Sequence, residues 1–127
     1  MEFTVPSILP KRRDLAFRFQ GGRCYYCGCT MLQLKGADLS DAPRYAKPDR
    51  LRLCTAEHLR AQVDGGTHAR RNLVAACWYC NSSRHARYGG IDAVEYRAVV
   101  RQQVKAGIWP TIRQQRKGGA SQETPPK

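Results

Sequence analysis

Two Cys-x-x-Cys pairs, Cys24/Cys27 and Cys77/Cys80, constrain this chain more than any other feature. Each pair sets two thiolates on one side of a tight turn with backbone amides pointing toward the sulfurs, and two such knuckles complete a tetrahedral four-sulfur site. The ion expected there is a structural Zn2+ with no open coordination position. Because the knuckles lie far apart in the chain, the metal would staple the two ends of a subdomain rather than organise a short loop. Cys29 would offer only a poorer Cys-x-Cys knuckle, and Cys54 lies in a candidate strand where a thiol behaves as a small buried hydrophobe, so neither is assigned to the site. Six cysteines in a reducing compartment favour metal over disulfides.

A length of 127 residues accommodates one domain with one modest core. Hydrophobic residues at 42% and charged residues at 25% are globular values, which argues against a wholly disordered basic chain. The formal charge of +12 makes a polyanion, and nucleic acid first, the expected partner. No apolar run approaches a membrane span of roughly 18 residues, and no signal-peptide pattern opens the chain. A cytoplasmic protein without membrane partners, from a prokaryotic or phage-encoded setting, is expected.

Pro6 and Pro10 mark residues 1–10 as an irregular lead-in, and residues 11–20 read as a short amphipathic helix stopped by Gly21 and Gly22. Residues 36–49, with Pro43 and Pro48, read as a loop or insertion. Residues 51–56 and 73–77 suit short strands, with the Asp64-Gly65-Gly66 turn between them. Residues 81–88 suit a helix opening near Cys80, and residues 91–106 suit another with Val94, Ala98, Val99 and Val104 on one face. The resulting division is a lead-in over 1–10, a domain over 11–116 with its core at about 20–88, and a disordered basic tail over 117–127.

The segment between the knuckles carries the chemistry. Phosphodiester hydrolysis needs a base to activate water, a divalent cation to neutralise developing charge, and groups holding both in register. His58 is the natural base, Glu57 beside it is an anionic oxygen ligand, and Asn81 can bring a neutral oxygen to the same ion. His85, four residues past Asn81, lies on the same helix face. His68 reads as part of a basic loop. Tyr25, Tyr26, Trp78 and Tyr79 flank the cysteines and are read as packing around the staple. Arg60, Arg70, Arg71, Arg84 and Arg87 surround the motif as candidate phosphate contacts, with Arg97, Arg101, Lys105, Arg113, Arg116 and Lys117 extending the footprint.

In their order, Glu57-His58, Asn72 before Leu73-Val74, and Asn81 directly after Cys80 resemble the HNH endonucleases, whose core is a ββα-metal (His-Me) finger often set between Cys-x-x-Cys knuckles. The likeness covers residues 20–88, about half the chain. It implies an α+β fold: a ββα-metal core stapled by a four-cysteine zinc site, with flanking N- and C-terminal helices. It implies His58 as general base, Glu57 and Asn81 as ligands of a catalytic divalent ion, and Asn72 as the residue that bridges the strands and orients the base. His85 matches a further helix histidine of the related bacterial DNase toxins. Glu57 stands where Asp or His is more usual and Asn81 where the family's name has His, which bears on metal preference. Oxygen ligands suit Mg2+ or Mn2+, and a ligating His85 shifts preference toward Mn2+, Ni2+ or Zn2+. The implied activity is endonucleolytic hydrolysis of DNA to 5′-phosphate and 3′-hydroxyl ends. The rivals are a zinc-stapled binding module that does not cut, and a subunit active only within a phage-packaging or restriction complex. A homodimer or larger nucleoprotein assembly is compatible with either.

Overall fold

The computed structural model describes residues 4–33 and 47–112. Helix α1 (Thr4–Phe19) begins well before residue 11, the start that the prolines suggest. Proline removes a donor, but Pro6 sits in the first turn, where amides have no intrahelical partner, and Pro10 is accommodated farther along. The helix ends as expected at Gly21 and Gly22, both at positive φ. Gly22 N–H donates to the Phe17 carbonyl at 2.8 Å and Gly21 N–H to that of Arg18 at 3.1 Å, which satisfies the last turn.

Strands β1 (Cys54–His58) and β2 (Leu73–Cys77) pair antiparallel, with Cys54 opposite Cys77 and His58 opposite Leu73. β2 has the expected bounds. β1 starts later than expected because Leu51 closes a short helix, α2 (Lys47–Leu51), which also takes the end of the expected 36–49 loop. The rest of that loop, residues 36–46, lies outside the described residues, as does the tail over 117–127. The outer edge of β2 is closed at Ala75 by the Gln20 side chain together with Tyr25 N–H, which donates to the Ala75 carbonyl at 3.0 Å. The Gln20 amide accepts from Ala75 N–H at 2.9 Å and donates to the Ala75 carbonyl at 2.8 Å, so this stretch of edge is no template for another strand.

Helix α3 (Trp78–Ala86) follows β2 without a loop, opening earlier than residue 81 because Cys77 caps it, its Sγ accepting from Cys80 N–H. Both α1 and α3 pack on the β hairpin. Alternation along β1 turns Thr55 and Glu57 to the α3 side, where they meet Asn81, Arg84 and His85. Helix α4 (Ala93–Lys105) is capped by Asp92, whose carboxylate accepts from Val94 N–H and Glu95 N–H. Its buried face is Ala93, Tyr96 and Val100, not the expected valine face, since Val94 is 73% exposed. Tyr96 decides this: it packs edge-to-face on Tyr26 at 4.8 Å and donates to the Cys80 carbonyl at 2.7 Å, anchoring α4 on the cysteine cluster. The architecture is α+β, a two-stranded antiparallel sheet with helices, consistent with the ββα-metal fold.

Candidate active site

The sulfurs of Cys24, Cys27, Cys77 and Cys80 all lie within 4.8 Å of one another in the buried core. Zinc–sulfur bonds of about 2.3 Å would separate tetrahedral ligands by roughly 3.8 Å. Cys27 Sγ and Cys77 Sγ are 3.9 Å apart. Each sulfur also has a hydrogen-bond partner suited to a thiolate. Cys24 Sγ accepts from Tyr26 N–H and Cys77 N–H, and Cys77 Sγ from Cys80 N–H. Cys80 Sγ accepts from the Trp109 indole N–H at 3.3 Å, and Cys27 Sγ lies 3.2 Å from the Thr111 hydroxyl. Burial pushes the Cys77 and Cys80 thiols well up, whereas hydrogen bonding, first to Cys24, pulls Cys27 down. A cation would remove the penalty on gathering several thiolates here, so the cluster could hold zinc. Cys54, outside it, is pushed up to about 12 by burial and behaves as the buried hydrophobe expected. Trp109 and Thr111 carry no motif, and their contact with the sulfurs arises only when the chain beyond α4 folds back.

On β1, Glu57 is 2% exposed, and the groups that contact its carboxylate are polar. Oε2 accepts from the Tyr26 hydroxyl at 2.8 Å and from Arg84 Nη1 at 3.0 Å. Burial and the neighbouring Glu57 push the Tyr26 hydroxyl far up, so it remains a donor. Oε1 instead faces His85 Nε2 at 3.3 Å. Two ligands at right angles on an ion with bonds of about 2.1 Å would stand roughly 3 Å apart, so Glu57 and His85 fit adjacent positions of one divalent ion. Asn81, one turn before His85, donates its amide to Thr55 Oγ1 at 3.0 Å and to the Ala56 carbonyl at 3.2 Å. Its Oδ1 has no protein partner among the described residues.

Arg84 overturns the reading of its side chain as a phosphate contact. It is 3% exposed, and its guanidinium also donates to the carbonyls of His58, Leu59 and Ile91 at 2.8 to 3.0 Å. Burial alone would lower its pKa, but the Glu57 hydrogen bond and charge outweigh burial and raise it. One buried fork therefore holds both the Glu57 carboxylate and the backbone of the next two residues. Spacing alone could not show this, because on a basic helix an inward arginine looks like its outward neighbours.

His58 is half-buried, and burial, followed by His68, holds it below its ordinary 6.5. Its Nε2 lies 2.9 Å from His68 Nδ1, so His68 is more than part of a basic loop. Asn72 braces that loop. Its Oδ1 accepts from Arg60 N–H at 2.8 Å, and its amide donates to the carbonyls of Arg60 at 3.1 Å and Thr67 at 2.7 Å. Gly66 is obligatory nearby, since a Cβ there would fall 1.7 Å from the Arg60 carbonyl oxygen.

Against this hairpin and helix, a family model described as HNH endonuclease matches residues 46–87. Over this segment the chain is similar to the HNH endonuclease family. A search of curated proteins and one of solved structures found no match. The matched segment takes in β1, β2 and α3 and carries Glu57, His58, Asn72, Asn81 and His85, of which Glu57 and His85 are in direct contact while Asn72 bonds the backbone of Arg60 and Thr67; Cys24 and Cys27 join the cysteine cluster from outside it. Of the arginines around it, Arg60, Arg70, Arg71 and Arg87 are exposed. A groove of about 930 Å³ between α1 and the start of β2 is lined by Arg12, Phe19, Arg70, Arg71, Leu73 and others. Phe19 is 92% exposed at its mouth. Arg97 and Arg101 are committed elsewhere: they donate to the Tyr25 and Tyr26 carbonyls, and Arg97 lies over the Tyr25 ring at 4.4 Å. Arg113, Arg116 and Lys117 lie outside the described residues. No helix among the described residues is long and apolar enough to cross a membrane.

Proposed function

We propose that the protein is a metal-dependent HNH endonuclease that hydrolyses DNA phosphodiester bonds, with His58 as general base and a separate structural zinc on the four cysteines. One observation carries the reading: Glu57 Oε1 and His85 Nε2 face each other at 3.3 Å beside a half-buried His58, while Glu57 Oε2 is fully occupied by Tyr26 and Arg84. The carboxylate is thereby oriented, with one oxygen reserved for a ligand. Glu57, His85 and Asn81 Oδ1 would hold the catalytic ion, and this mixed oxygen and nitrogen set suits Mn2+, Ni2+ or Zn2+ as well as Mg2+. When bound, the ion would neutralise charge developing on the phosphoryl and departing 3′ oxygens.

His58 takes the proton of a water that attacks phosphorus in line, leaving 5′-phosphate and 3′-hydroxyl ends. Burial keeps its imidazole neutral at neutral pH, the form a base requires. Arg84 fixes the strand end, so that base and carboxylate keep one relative position. Arg70 and Arg71, exposed at the groove beside α1, are suited to phosphate contacts, which position a nucleic acid without reading its sequence. The test is incubation of the zinc-loaded protein with supercoiled plasmid, with and without Mn2+ or Mg2+. Metal-dependent nicking or linearisation by the wild type, lost in His58→Ala, is the expected result. Intact plasmid under every metal condition would leave the protein a binding module.

A further inference from the structure

We infer that His68 is a positioning residue for the general base, holding His58 in the single tautomer that can accept a proton from water. This rests on the proposed nuclease reading and deepens it. The observation is the 2.9 Å contact between His58 Nε2 and His68 Nδ1, with the two rings tilted by 45°. Two neutral imidazoles joined through one nitrogen each share one proton between them, and its owner decides what the free nitrogens can do. If His68 Nδ1 carried it, His58 would accept through Nε2 and bear its own proton on Nδ1, leaving no lone pair for catalysis. If His58 Nε2 carries it, His68 accepts and His58 Nδ1 keeps an open lone pair.

Only the second arrangement is productive, and the proton count closes through the step. Water gives a proton to His58 Nδ1, the hydroxide forms the new bond to phosphorus, and the P–O3′ bond breaks with its electron pair leaving on the 3′ oxygen, which takes a proton from solvent water to become the 3′-hydroxyl. His58 becomes an imidazolium whose Nε2–H still donates to His68 Nδ1. That hydrogen bond persists through proton transfer and strengthens because its donor becomes charged.

The surroundings hold His68 for this role. Asn72 donates to the Thr67 carbonyl at 2.7 Å, and Arg12 of α1 donates to the carbonyl of His68 itself, so the peptides on both sides of His68 are gripped. The Arg12 contact spans 56 residues, and through it α1 braces the loop that orients the base. Asn72 therefore orients His58 through this loop rather than by touching it.

The test combines activity with a readout that does not depend on cleavage. Long-range nitrogen–proton NMR of the zinc-loaded full chain at neutral pH should show His58 protonated on Nε2 alone. In His68→Ala the His58 signal should move to a mixture of tautomers. With folding verified by thermal melting, kcat for plasmid cleavage should fall about ten- to a hundredfold while KM stays near the wild-type value. His68→Asn, whose carbonyl oxygen can accept in place of Nδ1, should recover part of both the tautomer signature and the rate. Wild-type His58 protonated on Nδ1, or His68→Ala cleaving at the wild-type rate while His58→Ala is inactive, would overturn the role of His68 and leave the nuclease reading standing. Undiminished cleavage by His58→Ala would instead overturn the general-base reading and the role of His68 with it.

Discussion

Arg84 Nη1 and Glu57 Oε2 form an ion pair at 3.0 Å with both side chains at most 3% exposed, and it joins the last turn of α3 to the end of β1. A buried pair of this kind adds little net stability over an apolar pair, but removing one partner strands the other charge. Arg84→Met should destabilise the zinc-loaded protein by about 3–5 kcal/mol, measured by urea unfolding. Arg84→Lys should remain well below wild type, because an ammonium cannot reproduce the planar fork that reaches Glu57, His58, Leu59 and Ile91. Unchanged stability in both variants would contradict the view of Arg84 as the clamp of the site.

One zinc per chain should copurify with the protein, and elemental analysis checks this directly. Stripping it with a strong chelator should unfold the domain, seen as loss of the protected Trp109 fluorescence, because structural zinc contributes directly to folding free energy. Cys77→Ser should behave like the stripped protein. A metal-free sample with the same melting temperature as the loaded one would remove zinc from the fold.

His85→Ala should shift the metal dependence of cleavage rather than abolish it, with activity partly recovered at high Mn2+. His58→Ala should lose about 10² to 10⁴ in rate with no such recovery, since added metal supplies no proton acceptor. A metal titration of both variants distinguishes the roles, and identical curves for His85→Ala and wild type would exclude His85 as a ligand.

Cleavage should persist into mildly acidic solution. Burial, the largest influence, disfavours the His58 cation and holds its pKa below 6.5, and a bound divalent ion would act in the same direction. The base form is therefore lost only as pH falls through that lowered value, and the acid limb of kcat should have its midpoint below 6.5. A midpoint clearly above neutrality would show that another group limits the rate.

Affinity for random-sequence duplex should fall steeply with salt, because phosphate contacts release condensed counterions. Arg70→Ala with Arg71→Ala should weaken binding to all sequences alike and make the log–log salt slope shallower by roughly two. Arg97→Ala should leave that slope unchanged, since this guanidinium is engaged by the Tyr25 carbonyl and ring. An equal loss in both variants would place the nucleic-acid footprint on α4.

Short-range pattern makes much of the local structure legible in the sequence. The two Cys-x-x-Cys knuckles, the bounds of β2 and the glycine stop after α1 are carried by neighbours a few residues apart, whose relative placement the backbone dictates, whereas the order of Glu57-His58, Asn72 and Asn81 is legible through its family resemblance. Even there, prolines misled the start of α1, because a helix tolerates Pro6 in its first turn and this one runs on through Pro10, and the valines of α4 misled its buried face, because Tyr96 had a partner in Tyr26 that no local pattern names. Packing between distant elements settled the rest. It turned Arg84 inward onto Glu57, brought His68 onto His58, and laid Trp109 and Thr111 on the cysteine sulfurs across separations of up to 84 residues. The reason is physical: spacing along an element says which side chains share a face, but how a buried charge or donor is satisfied depends on which distant element packs against that face.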